Sequence, residues 1–277
     1  QFAVTPGVRV ESYRQNRKNE MNGVQGQANN TELVPGIGAT WQLAPELQLY
    51  SSVYKGFAPA MISAAISGDG VDQKLDAERS MNIEFGFRGQ AQKWTYEGAA
   101  FRMDFSNQIV NQALSGGISK TNGGQSLHQG AEGALGYAIT SAWSVLANAT
   151  YIPVAEFKGG TLGPIGNRIP YTPKLTGNLG LNYSKDGLKS FLNAYHVSSQ
   201  YADSVNTVEE SNDGTKGLIP AFTTLNWSVV YSPQKHLKLF GIIRNLFDKK
   251  FISGRSPDGI FPGAERNFEI GLAYQFY

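Results

Sequence analysis

The side chains that perform most enzyme chemistry are scarce in this sequence or stand at no catalytic spacing. The 277 residues include no cysteine and three histidines, so thiolate nucleophiles and cysteine-bound metals are excluded. His128, His196 and His236 show no metal-ligand spacing, and no serine lies in a nucleophile motif. Acidic turns at 68–72 and 212–214 lack the ligand series of a calcium loop. We therefore expect no catalytic residue, no metal centre and no cofactor.

Composition narrows the class of protein. Lys and Arg number 24 and Asp and Glu number 22, a balance that gives no reason to expect nucleic acid. Charged residues make up 17%, below the roughly 25% of ordinary soluble domains, and aromatics reach 12%. No apolar run reaches the roughly 18 residues that a membrane helix needs. The chain opens on Gln1 without a signal peptide, so we expect a processed product or a fragment.

Apolar residues recur at every second position, which predicts strands whose two faces differ. The pattern is clearest over 267–276, where large apolar side chains alternate with small or polar ones. It also runs through 2–10, 81–88, 175–183 and 225–231. We predict about 12 strands, over 2–13, 32–43, 47–56, 76–89, 93–105, 126–139, 143–153, 168–183, 188–200, 218–232, 236–247 and 264–277. Many are long enough for the roughly 9–11 residues of a tilted membrane strand.

Short and long connections alternate along the chain. The short ones are 44–46, 90–92, 140–142, 184–187 and 232–235. The long ones are 14–31, 57–75, 106–125, 154–167, 201–217 and 248–263. Tight turns at one end of a sheet and long loops at the other are typical of outer-membrane barrels. A soluble β-sandwich has no reason for this arrangement.

The polar face of the predicted strands carries many charges, among them Arg9, Glu84, Arg88, Glu132 and Glu269. A dry core could not hold them unpaired, whereas a wet or plugged barrel interior can. We therefore expect the apolar face to meet lipid. Aromatic residues near the predicted strand ends suit interfacial girdles: Trp41, Trp94, Trp143, Tyr137, Tyr151, Tyr183 and Tyr231.

The predicted fold class is all-β, an antiparallel up-and-down transmembrane β-barrel segment. Its spacing is about 23 residues per strand, so a 22-strand transporter barrel would need roughly 500 residues. Residues 1–277 would then supply about the last twelve strands, with the plug domain absent. Twelve strands could also close into a complete small barrel.

Three stretches resemble the TonB-dependent outer-membrane receptors. The run 245–251, Asn-Leu-Phe-Asp-Lys-Lys-Phe, resembles a block at the exit of their penultimate strand. The run 54–59, Tyr-Lys-Gly-Phe-Ala-Pro, is followed by Glu78 and by Glu84-Phe85-Gly86-Phe87-Arg88, which is similar to a second family block. The tail from Gly263 resembles the last strand. Within the family, 255–263 looks most like the ferric-citrate type of receptor.

The last strand of that family carries a signal for the barrel-assembly machinery. A polar residue and a glycine precede aromatics at alternate positions, a pattern that Glu269, Gly271, Tyr274 and Phe276 match. The sequence departs from the pattern at Tyr277, one residue beyond the expected terminal phenylalanine.

The resemblance implies import of a ferric chelate, a siderophore or ferric citrate, across the outer membrane of a Gram-negative bacterium. The iron chelate would be cargo rather than a cofactor. Further partners would be outer-membrane lipid, the barrel-assembly machinery and the TonB protein. TonB acts through an N-terminal plug, and neither a plug nor a TonB-binding segment is readable in residues 1–277.

The resemblance also directs the search for ligand-binding residues, since ferric chelates are usually anionic and captured from outside. Cationic and aromatic groups at the extracellular mouth would meet that need. The leading candidates are Arg168, Arg255, Arg266, Tyr54 and Tyr171. Lys55, Lys216 and Tyr201 have similar placement. Each could instead be an ordinary solvated side chain.

Two other classes of function stay open on the sequence. One is a complete twelve-strand barrel, either a passive pore or an outer-membrane hydrolase, although a hydrolase would need a clustered nucleophile and base. The other is a soluble β-sandwich binding module. Pairing of the first strand with the last distinguishes a complete barrel from a receptor fragment. The direction of the apolar face distinguishes a barrel from a sandwich.

Overall fold

A computed structural model describes residues 1–114, 117–255 and 258–276, with the backbone alone over 110–114 and 117–120. Twelve long strands and four short ones account for most of the chain. The long strands are β1 (Phe2–Lys18), β2 (Gln25–Ala44), β3 (Leu47–Ala58), β4 (Glu78–Ala91), β5 (Trp94–Leu114), β6 (Gly117–Ala138), β7 (Trp143–Gly159), β8 (Leu175–Lys185), β9 (Leu188–Val197), β12 (Phe222–Gln234), β13 (Leu237–Arg244) and β16 (Asn267–Tyr274). The short elements are α1 (Ile62–Ala65), β10 (Gln200–Tyr201), β11 (Leu218–Ile219), β14 (Ile252–Gly254) and β15 (Phe261–Pro262).

The twelve long strands form one antiparallel sheet in chain order. Each pairs with the next long strand, from β1 through β9 and then β12, β13 and β16. The short pairs β10–β11 and β14–β15 are separate hairpins in the loops. Over the described ranges β1 pairs only with β2, and β16 only with β13, so the sheet has two free edges. The predicted up-and-down topology and the count of twelve are confirmed.

The sheet has an apolar face and a polar face, as the alternation predicts. On the apolar face Ile83, Leu179 and Trp227 are exposed, Leu179 by 58%. On the polar face asparagines bond across strands: Asn178 donates to Asn148 at 3.1 Å and Asn193 donates to Asn178 at 3.2 Å. The two sets separate because side chains one residue apart along a strand point to opposite faces.

Nothing in the described parts of the chain covers the apolar face. The buried apolar residues are mostly small, and those in mutual contact form one cluster of Ala28, Ala60, Ala65 and Ile66. That cluster lies beside α1, at the end of the sheet opposite the short turns. A β-sandwich would bury its large apolar side chains between two layers, so the sandwich alternative is wrong. In the part of the chain described, no helix is long and apolar enough to cross a membrane.

The short turns gather at one end of the sheet, together with aromatic pairs. Trp94 stacks near Tyr137 at 4.3 Å between ring centroids, and Trp143 near Tyr183 at 4.8 Å. All four rings lie within two residues of a strand end. Amphipathic rings at this level suit a membrane–water interface.

Two of the predicted long loops are wrong. Most of 14–31 and of 106–125 is strand, since β1 and β2 pair up to Lys18–Gln25 and β5 and β6 pair up to Leu114–Gly117. The β1–β2 extension is largely polar on both faces, and in the β5–β6 extension the apolar Ile109 and Val110 are adjacent, so neither displays a clear alternation. Backbone hydrogen bonds hold them as hairpins beyond the membrane-facing part of the sheet.

One predicted strand is too long. The segment 168–183 forms a strand only from Leu175, because Pro170 and Pro173 offer no N–H to a ladder and Tyr171 has a φ of +54°. The predicted strand 188–200 similarly leaves the main sheet after Val197. Tyr277, and Ser256 and Pro257 within the run 255–263, lie outside the described residues.

The two faces predict opposite responses to a new charge. We expect Leu179→Arg, in the middle of β8 on the apolar face, to weaken folding into lipid by roughly 2–4 kcal/mol. The matched variant Asn178→Arg, on the polar face one residue away, should cost about 1 kcal/mol for its lost hydrogen bonds. Folding free energies measured in lipid vesicles would decide. Equal costs would contradict the assignment of the two faces.

Candidate functional site

The connections opposite the short turns pack into one loop cluster, made of 160–174, 198–221 and 245–266. Arg168 ties two of these loops to the sheet. Its guanidinium donates to the backbone carbonyls of Thr172 at 2.8 Å, Pro153 at 3.1 Å and Ile152 at 2.7 Å. Asn206 bonds both backbone groups of Arg168 at 2.7 Å. Burial lowers the pKa of Arg168, yet an arginine so placed stays charged.

Arg255 joins the other loops and is only 3% exposed. Its guanidinium pairs with Glu210 at 2.8 Å and donates to Gly214 at 3.2 Å and Leu218 at 3.4 Å. Its backbone N–H donates to the Tyr171 hydroxyl at 3.2 Å. The structure thus brings Arg168, Arg255 and Tyr171 into one loop cluster, where both guanidinium groups hold protein atoms.

Of the remaining predicted ligand residues, Tyr54 lies apart from that cluster, whereas Arg266, Lys216 and Tyr201 belong to its loops. Tyr54 is half exposed on β3, and the Arg266 side chain is exposed beside β16, 5.9 Å from the Phe268 ring centre. Lys216 is exposed in the loop 198–221. The Tyr201 carbonyl accepts a hydrogen bond from the Tyr171 N–H at 2.9 Å. Ligand binding by all of these residues stays a prediction.

Lys55 belongs to a buried ionic cluster. The Glu32 side chain is 2% exposed. Its carboxylate accepts hydrogen bonds from Arg79 at 2.7 and 3.0 Å and from Lys55 at 3.3 Å. The cluster lies where β2 and β3 stop pairing, beyond Gly36 and Tyr54. A carboxylate with two cations can stay ionised despite its burial, so this cluster holds the separating strands together.

The run 245–251, which resembles a block of the receptor family, has a structural role that begins at Asn245. Asn245 turns the chain out of β13 with a φ of +52° and is buried. Its side chain donates to the carbonyls of Lys249 at 2.9 Å and Ala264 at 3.0 Å, and accepts from the Lys249 N–H at 2.8 Å. Asp248 then accepts from the Arg266 N–H at 2.9 Å. The block closes the base of the loop 245–266.

The predicted assembly signal also has a physical basis in the wall. Glu269 pairs with Arg244 at 2.9 Å. A side chain at Gly271 would overlap the Phe240 ring of the neighbouring strand. The Tyr274 and Phe276 rings are exposed, with centroids 4.9 Å apart. Recognition of these residues by the assembly machinery stays a prediction.

The polar face carries an acidic patch, made of Glu84, Glu97 and Glu132. Glu97 and Glu132 line a cavity of about 270 Å³ together with Tyr50. The Arg88 guanidinium lies 5.8 Å from the centre of the Tyr50 ring. In the described chain none of the three carboxylates forms an ion pair, so the patch presents negative charge to whatever fills the interior.

Sequence reasoning missed a polar cluster on β5 and β6, which we call the orphan cluster: Gln108, Ser126 and His128. Gln108 Oε1, Ser126 Oγ and His128 Nδ1 are all buried without a hydrogen-bond partner in the described chain. Register places Ser126 opposite Phe105 and His128 opposite Met103. No sequence signal marked these residues, because Gln108 lay in a predicted loop and the other two opened a predicted strand. Within the described residues no group of three acidic or histidine side chains could hold a metal.

A wall with one lipid-compatible face, one polar face and packed loops at one end defines an outer-membrane β-barrel segment. A family model described as TonB dependent receptor-like, beta-barrel, matches residues 1–246. The chain belongs to this family of TonB-dependent receptors. It is therefore a wall segment of an outer-membrane barrel of a Gram-negative bacterium.

Individual relatives agree with the family. The pesticin receptor of Yersinia enterocolitica is 24% identical over 234 residues, 83% of this chain and 33% of that protein. The ferrienterobactin receptor of Escherichia coli is 26% identical over 265 residues, 89% of this chain and 34% of that protein. The chain thus spans about a third of the length of these curated relatives.

Solved structures show the same wall. The ferric citrate transporter FecA, in its unliganded form, superposes with a TM-score of 0.80 and 28% identity, over 98% of this chain and 42% of FecA. The ferric yersiniabactin receptor FyuA of Yersinia pestis has a TM-score of 0.79 at 22% identity, over 100% of this chain and 43% of FyuA, which supports the fold alone.

The Arg255–Glu210 pair gives a prediction for the loop cluster. Glu210→Gln would leave the buried Arg255 guanidinium without its counter-charge, and we expect the loops to lose roughly 1–2 kcal/mol of local stability. Hydrogen exchange of the amides in 200–219 would rise accordingly. The adjacent exposed variant Glu209→Gln serves as the control. Unchanged exchange in Glu210→Gln would show that the pair does not hold the loops.

Proposed function

We propose that the chain forms the C-terminal wall of a receptor that imports a ferric chelate across the outer membrane. The observation that carries this proposal is the open twelve-stranded sheet with an apolar outer face and a charged inner face. The two free edges would pair with about ten further strands of a 22-strand barrel. Membership of the TonB-dependent receptor family supports the same function.

A plug domain would fill the polar interior and receive energy from TonB. We infer that this plug is encoded before Gln1 and rests against the polar face. The acidic patch supports a plug surface that carries lysines or arginines, because Glu84, Glu97 and Glu132 would otherwise face the interior without counter-charges. Contact with TonB would belong to the plug rather than to residues 1–277.

The ligand would enter at the end that carries the loop cluster. Arg266, Tyr54 and Lys216 are the predicted residues with side chains free enough to reach a chelate. Arg168 and Arg255 would act mainly by holding the loops, and they would add positive potential that attracts an anion. Glu269, Gly271, Tyr274 and Phe276 would serve earlier, when the assembly machinery inserts the wall.

Iron uptake tests the function directly. The complete gene that encodes this chain would be expressed in an iron-starved Gram-negative strain lacking its own ferric-citrate receptor. We expect uptake of radioactive ferric citrate, or of a ferric hydroxamate, above that of a vector control. Deletion of tonB should abolish it, since transport against a gradient requires energy.

The same strains separate the receptor from the pore alternative. Uptake that is equal with and without TonB would indicate passive diffusion and contradict the proposal. A variant of the complete receptor truncated before Gln1, which keeps only residues 1–277, provides the control for the plug. It should insert poorly or give no energised uptake.

A further inference from the structure

Three of the buried side-chain atoms that lack a hydrogen bond fall together in the orphan cluster. They are Gln108 Oε1, Ser126 Oγ and His128 Nδ1. Ser126 and His128 stand two residues apart on one strand, so their side chains share a face roughly 7 Å apart. Gln108 lies opposite Gly124, two residues beyond Ser126 on the same face.

The surroundings of the orphan cluster are apolar. The Phe105 ring meets the His128 ring edge to face at 5.4 Å. Phe157 and Ala155, opposite Ser126 and His128 on β7, are 5% and 1% exposed. Leu162 from the loop 160–174 covers Gly124 and would overlap any side chain there. Ser126 is 2% exposed and forms the floor, and the Gln108 and His128 side chains are partly exposed, although the three unpaired atoms are themselves buried.

An unpaired polar atom in such a place is costly. A buried hydroxyl, amide oxygen or ring nitrogen without a partner is unfavourable, because it has given up its hydrogen bonds to water and gained none in return. Alanine, methionine and phenylalanine would fill the same positions without that cost. Other polar groups on this face of the wall are paired, for example Asn178 with Asn148 and Asn193. The orphan cluster is therefore arranged for a partner that comes from outside the chain.

We propose that the orphan cluster is a binding site for the hydroxyl or amide N–H groups of the transported chelate. The Gln108 oxygen can only accept a hydrogen bond, and Ser126 and His128 can donate or accept. None of the three side chains supplies a full positive charge at neutral pH. The nearby Arg168 guanidinium already donates its hydrogen bonds to the backbone carbonyls of Thr172, Pro153 and Ile152. A chelate whose outer surface carries only carboxylates would leave the Gln108 oxygen unpaired.

This inference rests on the proposed function and narrows its substrate class. The ligand would be a ferric chelate that presents O–H or N–H donors, and anionic groups would be met elsewhere at the mouth. The orphan cluster lies at the extracellular part of β5 and β6, beyond the apolar band. A chelate arriving there would still be on the extracellular side of the membrane.

The test uses the complete receptor and two variants. The double variant Ser126→Ala with Gln108→Met removes two of the three hydrogen-bonding groups at nearly constant volume. The matched control is Ser190→Ala, since Ser190 accepts a hydrogen bond from Trp227 on the apolar face. Affinities would be measured for ferrichrome, which carries amide N–H groups, and for ferric trisoxalate, whose six coordination positions are filled by carboxylate oxygens and which therefore lacks donors. We expect the double variant to lose about tenfold in affinity for ferrichrome and nothing for ferric trisoxalate.

Each outcome of these measurements supports or overturns either the inference or the proposed function. Unchanged affinity for the donor-bearing chelate, or an equal loss for all chelates, would overturn the inference. Binding of ferric trisoxalate alone would also overturn it. Binding of no ferric chelate by the unmodified receptor would instead contradict the proposed function. Thermal unfolding supplies the folding check: removing groups that have no partner should leave the unfolding temperature unchanged or raised. A fall would overturn the inference, because it would show that the fold itself uses these groups.

Discussion

The backbone of this chain must be hydrogen-bonded without help from water wherever it crosses lipid. A sheet meets that constraint only by pairing every strand on both sides. Twelve strands in chain order, joined by tight turns at one end, satisfy it everywhere except at the outer edges of β1 and β16. The side-chain alternation follows from the same geometry, because a strand that shows lipid on one face must show the interior on the other.

The loops are under a different constraint. They are exposed to water, so their backbone can bond to solvent, but they have little apolar area to bury. They are held by a few polar side chains that bond to several backbone groups at once. Arg168 reaches three carbonyls and Asn245 closes three bonds, while Arg255 links loops more than thirty residues apart in sequence. Arginine suits this work because its fork of donors is rigid and always charged. The donors and the charge that made Arg168 and Arg255 candidates for binding an anion are thus used for bonds to other parts of the protein.

Period-two alternation was enough to predict the wall, because apolar residues for the lipid face and polar residues for the interior face occupy alternate positions along each strand. It could not predict the hairpin extensions, whose residues 14–18 and 25–31 are polar on both faces. It also extended one strand back to Arg168, although prolines at 170 and 173 break the ladder. For the site, residue type alone selected Arg168 and Arg255, but their burial and partners depend on contacts between loops far apart in sequence. The orphan cluster left no trace in the sequence, since serine, glutamine and histidine are ordinary in a strand.

Satisfied and unsatisfied polar groups therefore carry different information about this protein. Arg168 and Arg255 each bond several protein atoms, although the Arg255 Nε has no partner in the described chain, and they explain how the loops keep their shape. A buried hydroxyl or amide oxygen with no partner explains nothing about folding, since an apolar residue would serve the fold better. The wall pairs its asparagines across three successive strands and yet leaves Gln108, Ser126 and His128 unpaired on the same face. Because the same sheet satisfies polar groups so readily elsewhere, the unpaired ones are where a ligand has most to contribute.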